Sequence, residues 1–292
     1  MLYTIKNDFL QVQINSRGGE MMSIQTLSDN CEYLWQGDSG YWGDRAIHLF
    51  PICGRLYEGK YTYKGETYRM GAHGFLRSSE MNVVSHEQDA ITFELTDSKE
   101  TQLQYPFAFR LHVTYRLRKN CVTIEFNVLN TDDKTLIFTL GGHPGFGLPF
   151  EQGLRFEDYA VSFEEPCQPE QIKFSPTCFV TGETPLYSLV NNKTLPLQHD
   201  LFDNDAIFLQ KMSHTVTLGS PKGSKRVTLT CNDMKYLGFW HTTKSDAPFV
   251  CIEPWLGIPS DDLTVDEWES KKDMIHLPVG ETFTTEYSIA VE

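Results

Sequence analysis

The 292-residue chain has almost no helical periodicity, no long apolar run and no excess of basic charge. Lysine and arginine number 25 against 39 acidic residues, a formal charge of −14. Contact with a nucleic-acid backbone needs a basic face, so nucleic acid is not an expected partner. No apolar stretch is long enough to cross a bilayer, so no membrane partner is expected either. The N-terminal MLYTIKNDFLQVQIN lacks the apolar core and cleavage site of a secretion signal, and a cytoplasmic location is expected. Seven cysteines are present, an odd number, and none forms a Cys-x-x-Cys pair. Cys53, Cys121, Cys231 and Cys251 stand beside apolar or β-branched neighbours and read as small core residues in a reducing compartment. There is no His-Glu-x-x-His, no histidine pair at ligand spacing and no EF-hand loop, so no metal is expected. Nor is there a Gly-x-Ser-x-Gly elbow, a P-loop or a dinucleotide fingerprint, so no cofactor is expected.

What fills the chain is alternation. Phe109, Leu111, Val113, Tyr115 and Leu117 alternate with polar residues, and Val122, Ile124, Phe126 and Val128 repeat the pattern beyond a turn. Ile91, Phe93 and Leu95 do the same. Period two with one apolar face is the mark of half-buried strands. YTYKGETYR (61–69) predicts a hairpin turning at Lys64-Gly65. Strands without intervening helices predict an all-β antiparallel fold, a sandwich or barrel. No linker or repeat divides the chain, which reads as one domain over residues 1–292. DDLTVDEWESKKDM (261–274) reads as a polar surface turn or short helix, and residues 164–194 as a long excursion over the surface.

Several polar residues interrupt this pattern in apolar settings. GGHPGFG (141–147) reads as a strand ending in a stiff loop that presents His143, because the proline bars the preceding residue from helical geometry. Alone, it reads better as a tight turn whose histidine faces water. Arg55 follows the apolar FPIC, where a buried guanidinium requires a carboxylate or a ligand oxygen. His73 sits between Ala72 and Gly74. Glu253 lies on an apolar strand, FVCIEPW, sharing a face with Phe249 and Cys251. Desolvation there raises a carboxyl pKa toward the range of a general base, and pairing with Arg55 is the alternative. In LFDNDAIFL, Asp203 and Asp205 form an ordinary Asp-Asn-Asp turn unless one serves a site. Histidines, a carboxylate in an apolar setting, an arginine and 13% aromatic residues suit a neutral polyol.

In order along the chain, RGGEMMSI, EYLWQGD, LFPICGRL, HGF, GGHPGF, DNDAIF and IEPWLG closely resemble the aldose 1-epimerase (galactose mutarotase-like) superfamily. The resemblance runs from about Arg17 to the C-terminus and is nearest to the mutarotase-like proteins associated with bacterial lactose use. It implies a large antiparallel β-sandwich and interconversion of the anomers of a free aldohexose such as galactose or glucose, without cofactor. By motif it implies Glu253 as general base and His143 as general acid, with His73, Arg55 and Asp205 binding the sugar. Asp205 is favoured over Asp203 by the Asp-x-x-Phe match. The better-characterised galactose mutarotases carry an Asn-His-Thr-Tyr-Phe type segment where this chain has GGHPGF, which leaves the choice of sugar open. Two rivals share the fold: a hexose 6-phosphate mutarotase, with Arg45, Arg77 or Lys244 as phosphate cations, and a non-catalytic sugar binder or sensor.

Overall fold

The computed structural model describes all 292 residues. Its architecture is an antiparallel β-sandwich. The larger sheet has nine strands, in the order Thr194–Pro196, Ala160–Phe163, Thr215–Gly219, Arg226–Thr230, Thr282–Val291, Cys121–Asn130, Phe109–Arg118, Ala90–Thr96, Asn82–His86. The second has six: Glu170–Ile172, Ile207–Gln210, Tyr236–Trp240, Phe249–Trp255, Gly141–Gly147, Ala46–Leu49. Three smaller sheets complete the fold, one of them formed by Leu2–Lys6, Leu10–Asn15 and Met21–Thr26. No helix is long and apolar enough to cross a membrane.

The alternating segments fold as the periodicity predicts. Cys121–Asn130 alternates half-buried and buried residues without a break, and Val122, Ile124, Phe126 and Val128 point into the core. Its outward residues meet water, and threonines on that face pair across strands, Thr217 with Thr228 at 3.0 Å and Thr92 with Thr114 at 3.0 Å. The strands of the six-stranded sheet differ: both faces are covered. Val250 and Ile252 face the nine-stranded sheet in one continuous cluster of 65 buried side chains. Phe249, Cys251 and Trp255 face the other way, into two smaller clusters. Contact between the sheets includes His48, whose Nε2 lies 2.6 Å from the Tyr115 hydroxyl. Lys64 and Gly65, both at positive φ, turn the predicted hairpin between Lys60–Tyr63 and Glu66–Arg69. All seven cysteines are free; Cys53, Cys231 and Cys251 are buried and Cys121 is half-buried.

Three expectations need correction. GGHPGFG is not a loop: Gly141–Gly147 is an inner strand of the six-stranded sheet. Its glycines do not open space for a ligand. A Cβ on Gly141 would lie 2.8 Å from the Trp255 ring, and one on Gly142 would lie 2.7 Å from the Tyr287 hydroxyl. Large rings from neighbouring layers fill the room the missing side chains leave.

The polar 261–274 segment forms no helix. Asp266–Glu267 pairs in parallel with Tyr61–Thr62, and Trp268 is fully buried, 3.9 Å from the Tyr61 ring. Lys271 is also buried, its ammonium held by the Pro259 carbonyl at 3.2 Å and Asp266 at 3.2 Å. Composition hid these two inward-pointing residues. Residues 164–194, finally, do more than cross the surface. They supply the edge strand Glu170–Ile172 and bury Ile172 and Val180 against the outer face of the six-stranded sheet.

Candidate active site

Strand register assembles the centre of the site. Gly141 pairs with Trp255 and Gly145 with Cys251, which sets His143 opposite Glu253. His143 also pairs with Ile47, and Glu253 with Gly238, which pairs in turn with Phe208. One row thus crosses five strands on the outer face of the sheet. Between the strands that carry His143 and Glu253, the ladder breaks over residues 142–144, where Pro144 and Pro254 have no N–H to give. In that gap His143 Nε2 stands 3.2 Å from Glu253 Oε2. On the other side of Glu253, Gly238 makes room for the Phe208 ring, which a Cβ there would approach to 2.7 Å.

Both partners are nearly inaccessible, His143 at 7% and Glu253 at 3% of full exposure. Burial drives each toward its uncharged form. The Glu253 carboxyl is raised well above the usual range by desolvation first and by the charge of Asp205 second. Desolvation, reinforced by the Arg77 charge, takes the His143 imidazole down to about 3. Trp42 lies tilted over the His143 ring at 4.9 Å, and Trp240 meets its edge at 5.8 Å.

The pair forms the floor of a cavity of about 220 Å³ whose lining includes Arg55, His73 and Asp205. All five residues singled out in the sequence therefore meet at one place. His73 and Asp205 adopt left-handed backbone conformations, φ 65° and 78°, which residues with a Cβ rarely take. Such strain persists only where surroundings hold it. At His73 the hold is visible. Its N–H donates to the Gly54 carbonyl at 2.7 Å, and the Gly54 N–H donates to its Nδ1 at 3.2 Å. Accepting there leaves the proton on Nε2. Gly74 beside it is obligatory, because a Cβ would lie 2.1 Å from the Phe50 carbonyl oxygen. Burial first, then the charges of His143, Arg77 and Arg55, keep the His73 imidazole well below its ordinary pKa.

Asp205 sits in the cavity wall and Asp203 does not. The turn closes with the Asp205 N–H on the Phe202 carbonyl, at 3.1 Å. Arg55 departs from expectation: it is exposed and its guanidinium has neither ion pair nor hydrogen bond, so it does not pair with Glu253. The left-handed Gly54 (φ 75°) carries the chain out of the apolar run before Arg55. Of the three cations proposed for a phosphate, only Arg77 reaches the cavity, paired with Asp44. Arg45 is committed to the Met22 carbonyl and Gln36, and Lys244 lies elsewhere. Sequence reasoning missed Trp42, Trp240, Phe174 and Cys178 in the lining. A trace of Trp240 was present in YLGFW, where it shares the strand face of Gly238.

A family model described as aldose 1-epimerase matches residues 1–290. The chain belongs to the aldose 1-epimerase family. Within that family it is 35% identical over 268 residues to the plasmid-borne protein LacX of Lactococcus lactis subsp. lactis, covering 88% of each chain. The chromosomal LacX of the same organism is 34% identical over the same span. Among solved structures, a galactose mutarotase related enzyme from Lactobacillus acidophilus superposes with a TM-score of 0.95 at 35% identity, covering 100% of this chain and 97% of that one. A galactose mutarotase-like protein from Lactobacillus casei gives 0.95 at 30% identity over the full length of both. Membership in an aldose epimerase family makes isomerase chemistry the frame for the cavity.

Proposed function

We propose that the protein is a cofactor-independent aldose 1-epimerase that interconverts the α and β anomers of a free aldohexose such as galactose or glucose. The observation that supports it most is the desolvated His143–Glu253 pair, 3.2 Å apart on the floor of a cavity. Ring opening needs a proton taken from the anomeric hydroxyl and one given to the ring oxygen. A neutral His–Glu pair holds one transferable proton. With that proton on His143, Glu253 is the carboxylate that accepts from the anomeric hydroxyl and His143 the donor to the ring oxygen. After transfer, Glu253 is a carboxylic acid and His143 a neutral imidazole, while the sugar is an open-chain aldehyde. Burial favours that uncharged tautomer, which lowers the cost of the open-chain complex. Rotation about the first carbon–carbon bond and reversal of both transfers close the other anomer, and the pair returns to its starting state.

The remaining lining residues suit binding. His73 offers an Nε2–H, Arg55 an uncommitted guanidinium and Asp205 a carboxylate, each matched to sugar hydroxyls. The tryptophans supply apolar walls for the C–H face of a pyranose. Seven free thiols favour a cytoplasmic setting. Arg55, without a partner in a wall shared with Arg77, also favours a second reading, a mutarotase for hexose 6-phosphates.

Polarimetry of freshly dissolved anomers tests the proposal. Wild-type protein should speed the approach to equilibrium, and Glu253→Gln should not. Inhibition of glucose turnover by glucose 6-phosphate at far lower concentration than by galactose would favour the second reading. Sugar binding by calorimetry without any acceleration over buffer would leave a binder or sensor instead.

A further inference from the structure

Beneath the His143–Glu253 pair lies a third donor that the reaction does not use. Cys251 is two residues before Glu253 on the same strand, so both side chains leave the same face. It pairs with Gly145, two residues beyond His143, and is fully buried. His143, Cys251 and Glu253 each offer one ligating atom, and the three atoms lie within 4.8 Å of one another.

We propose that these three residues form a zinc-binding site whose fourth position faces the cavity, so that Zn²⁺ captured there blocks the floor. Imidazole, thiolate and carboxylate are the borderline-soft donors that zinc selects. Bonds of about 2.0–2.2 Å at tetrahedral angles place a nitrogen and an oxygen roughly 3.3 Å apart. His143 Nε2 and Glu253 Oε2 already stand at 3.2 Å. With a zinc–sulfur bond of about 2.3 Å the thiolate belongs roughly 3.5 Å from each, a movement of no more than about 1.3 Å.

Charge supports the assignment. One thiolate and one carboxylate neutralise Zn²⁺, which suits a buried site. The thiol gives up its proton to ligate the metal. His143 Nδ1 is buried and has no hydrogen-bond partner. Loss of such an outer partner typically weakens a site about 10–100-fold. The site is thus a reversible trap and not the seat of a resident cofactor.

The test is independent of any sugar. Chelator-treated full-length protein is titrated with Zn²⁺ by calorimetry and with Co²⁺ by absorption spectroscopy. One site per chain is expected, and a thiolate-to-cobalt charge-transfer band. Cys251→Ser should weaken zinc binding by roughly 100-fold or more and abolish the band. Cys251→Ala, smaller and apolar, should do the same and guards against a folding defect caused by the buried hydroxyl. The histidine pair His199 and His241, whose Nδ1 and Nε2 are 3.1 Å apart, serves as the control. If His199→Ala removes binding while Cys251→Ala leaves it unchanged, or if wild type takes up no zinc, the proposal is wrong.

Discussion

The two large sheets of this molecule are built from the same kind of strand and put to different uses. In the nine-stranded sheet one face meets water, so Cys121–Asn130 alternates strictly. In the six-stranded sheet neither face does, and Phe249–Trp255 is buried at every position. A polar residue is ordinary on the first sheet and costly on the second. Glu125 and Glu253 make the contrast concrete. The former is half-buried beside Arg116 at 3.3 Å, the latter enclosed with one imidazole. Where a fully covered strand keeps a carboxylate, packing alone does not account for it.

The sharpest test of that contrast exchanges each glutamate for glutamine. Glu253→Gln should lower the rate of anomer interconversion by about 10²–10⁴-fold, the usual worth of a positioned acid–base group. Glu125→Gln should leave the rate unchanged. Equal rates for wild type and Glu253→Gln in the polarimeter would remove the carboxylate from the mechanism.

The pH profile sharpens the same point. A second proton enters the pair only as pH falls toward the depressed value of His143, about 3. The shared proton leaves only above the raised value of Glu253. Activity should therefore hold steady from neutral pH down to about 5, where an unperturbed imidazole of pKa about 6.5 would already have been protonated. A kcat that halves near 6.5 on acidification would mean the pair is solvated.

Next in size is the cavity wall. Asp205→Ala removes a charged hydrogen-bond acceptor worth about 1.5–3 kcal/mol, so calorimetry should show sugar affinity down roughly ten- to a hundredfold. Asp203→Ala, two residues away and outside the wall, should change it little. The reverse order would shift that turn by one alternation.

Two thermal-melt comparisons close the series. Gly142→Ala drives a methyl toward Tyr287 between the sheets and should cost about 1–3 kcal/mol, as overpacking does. Thr217→Val, on the wet face of the larger sheet, should change stability by no more than about 0.5 kcal/mol.

How far the sequence could be read follows from the same contrast. Alternation is written locally, so Phe109–Arg118 and its neighbours were evident, as was Glu253 on its apolar strand. Pairings between distant segments are not written locally. Nothing near Glu253 says that its partner is His143, 110 positions earlier, because register emerges only when the strands align. Covered strands also lose their period, which is why Gly141–Gly147 read as a loop. Trp268 and Lys271 were masked by polar neighbours that face outward. The apolar neighbours of Arg55 suggest burial, but the backbone of one glycine, Gly54, decides where it points.

If Gly141–Gly147 slipped by a single residue against Phe249–Trp255, His143 would turn into the space between the sheets and Gly142 or Pro144 would face Glu253. Such a misfolded molecule would retain its strands, and its circular dichroism would look native. If the cavity binds a sugar as proposed, its titration counts correctly paired chains, and a refolded sample with full β signal but partial binding stoichiometry reports how many strands found the wrong partner.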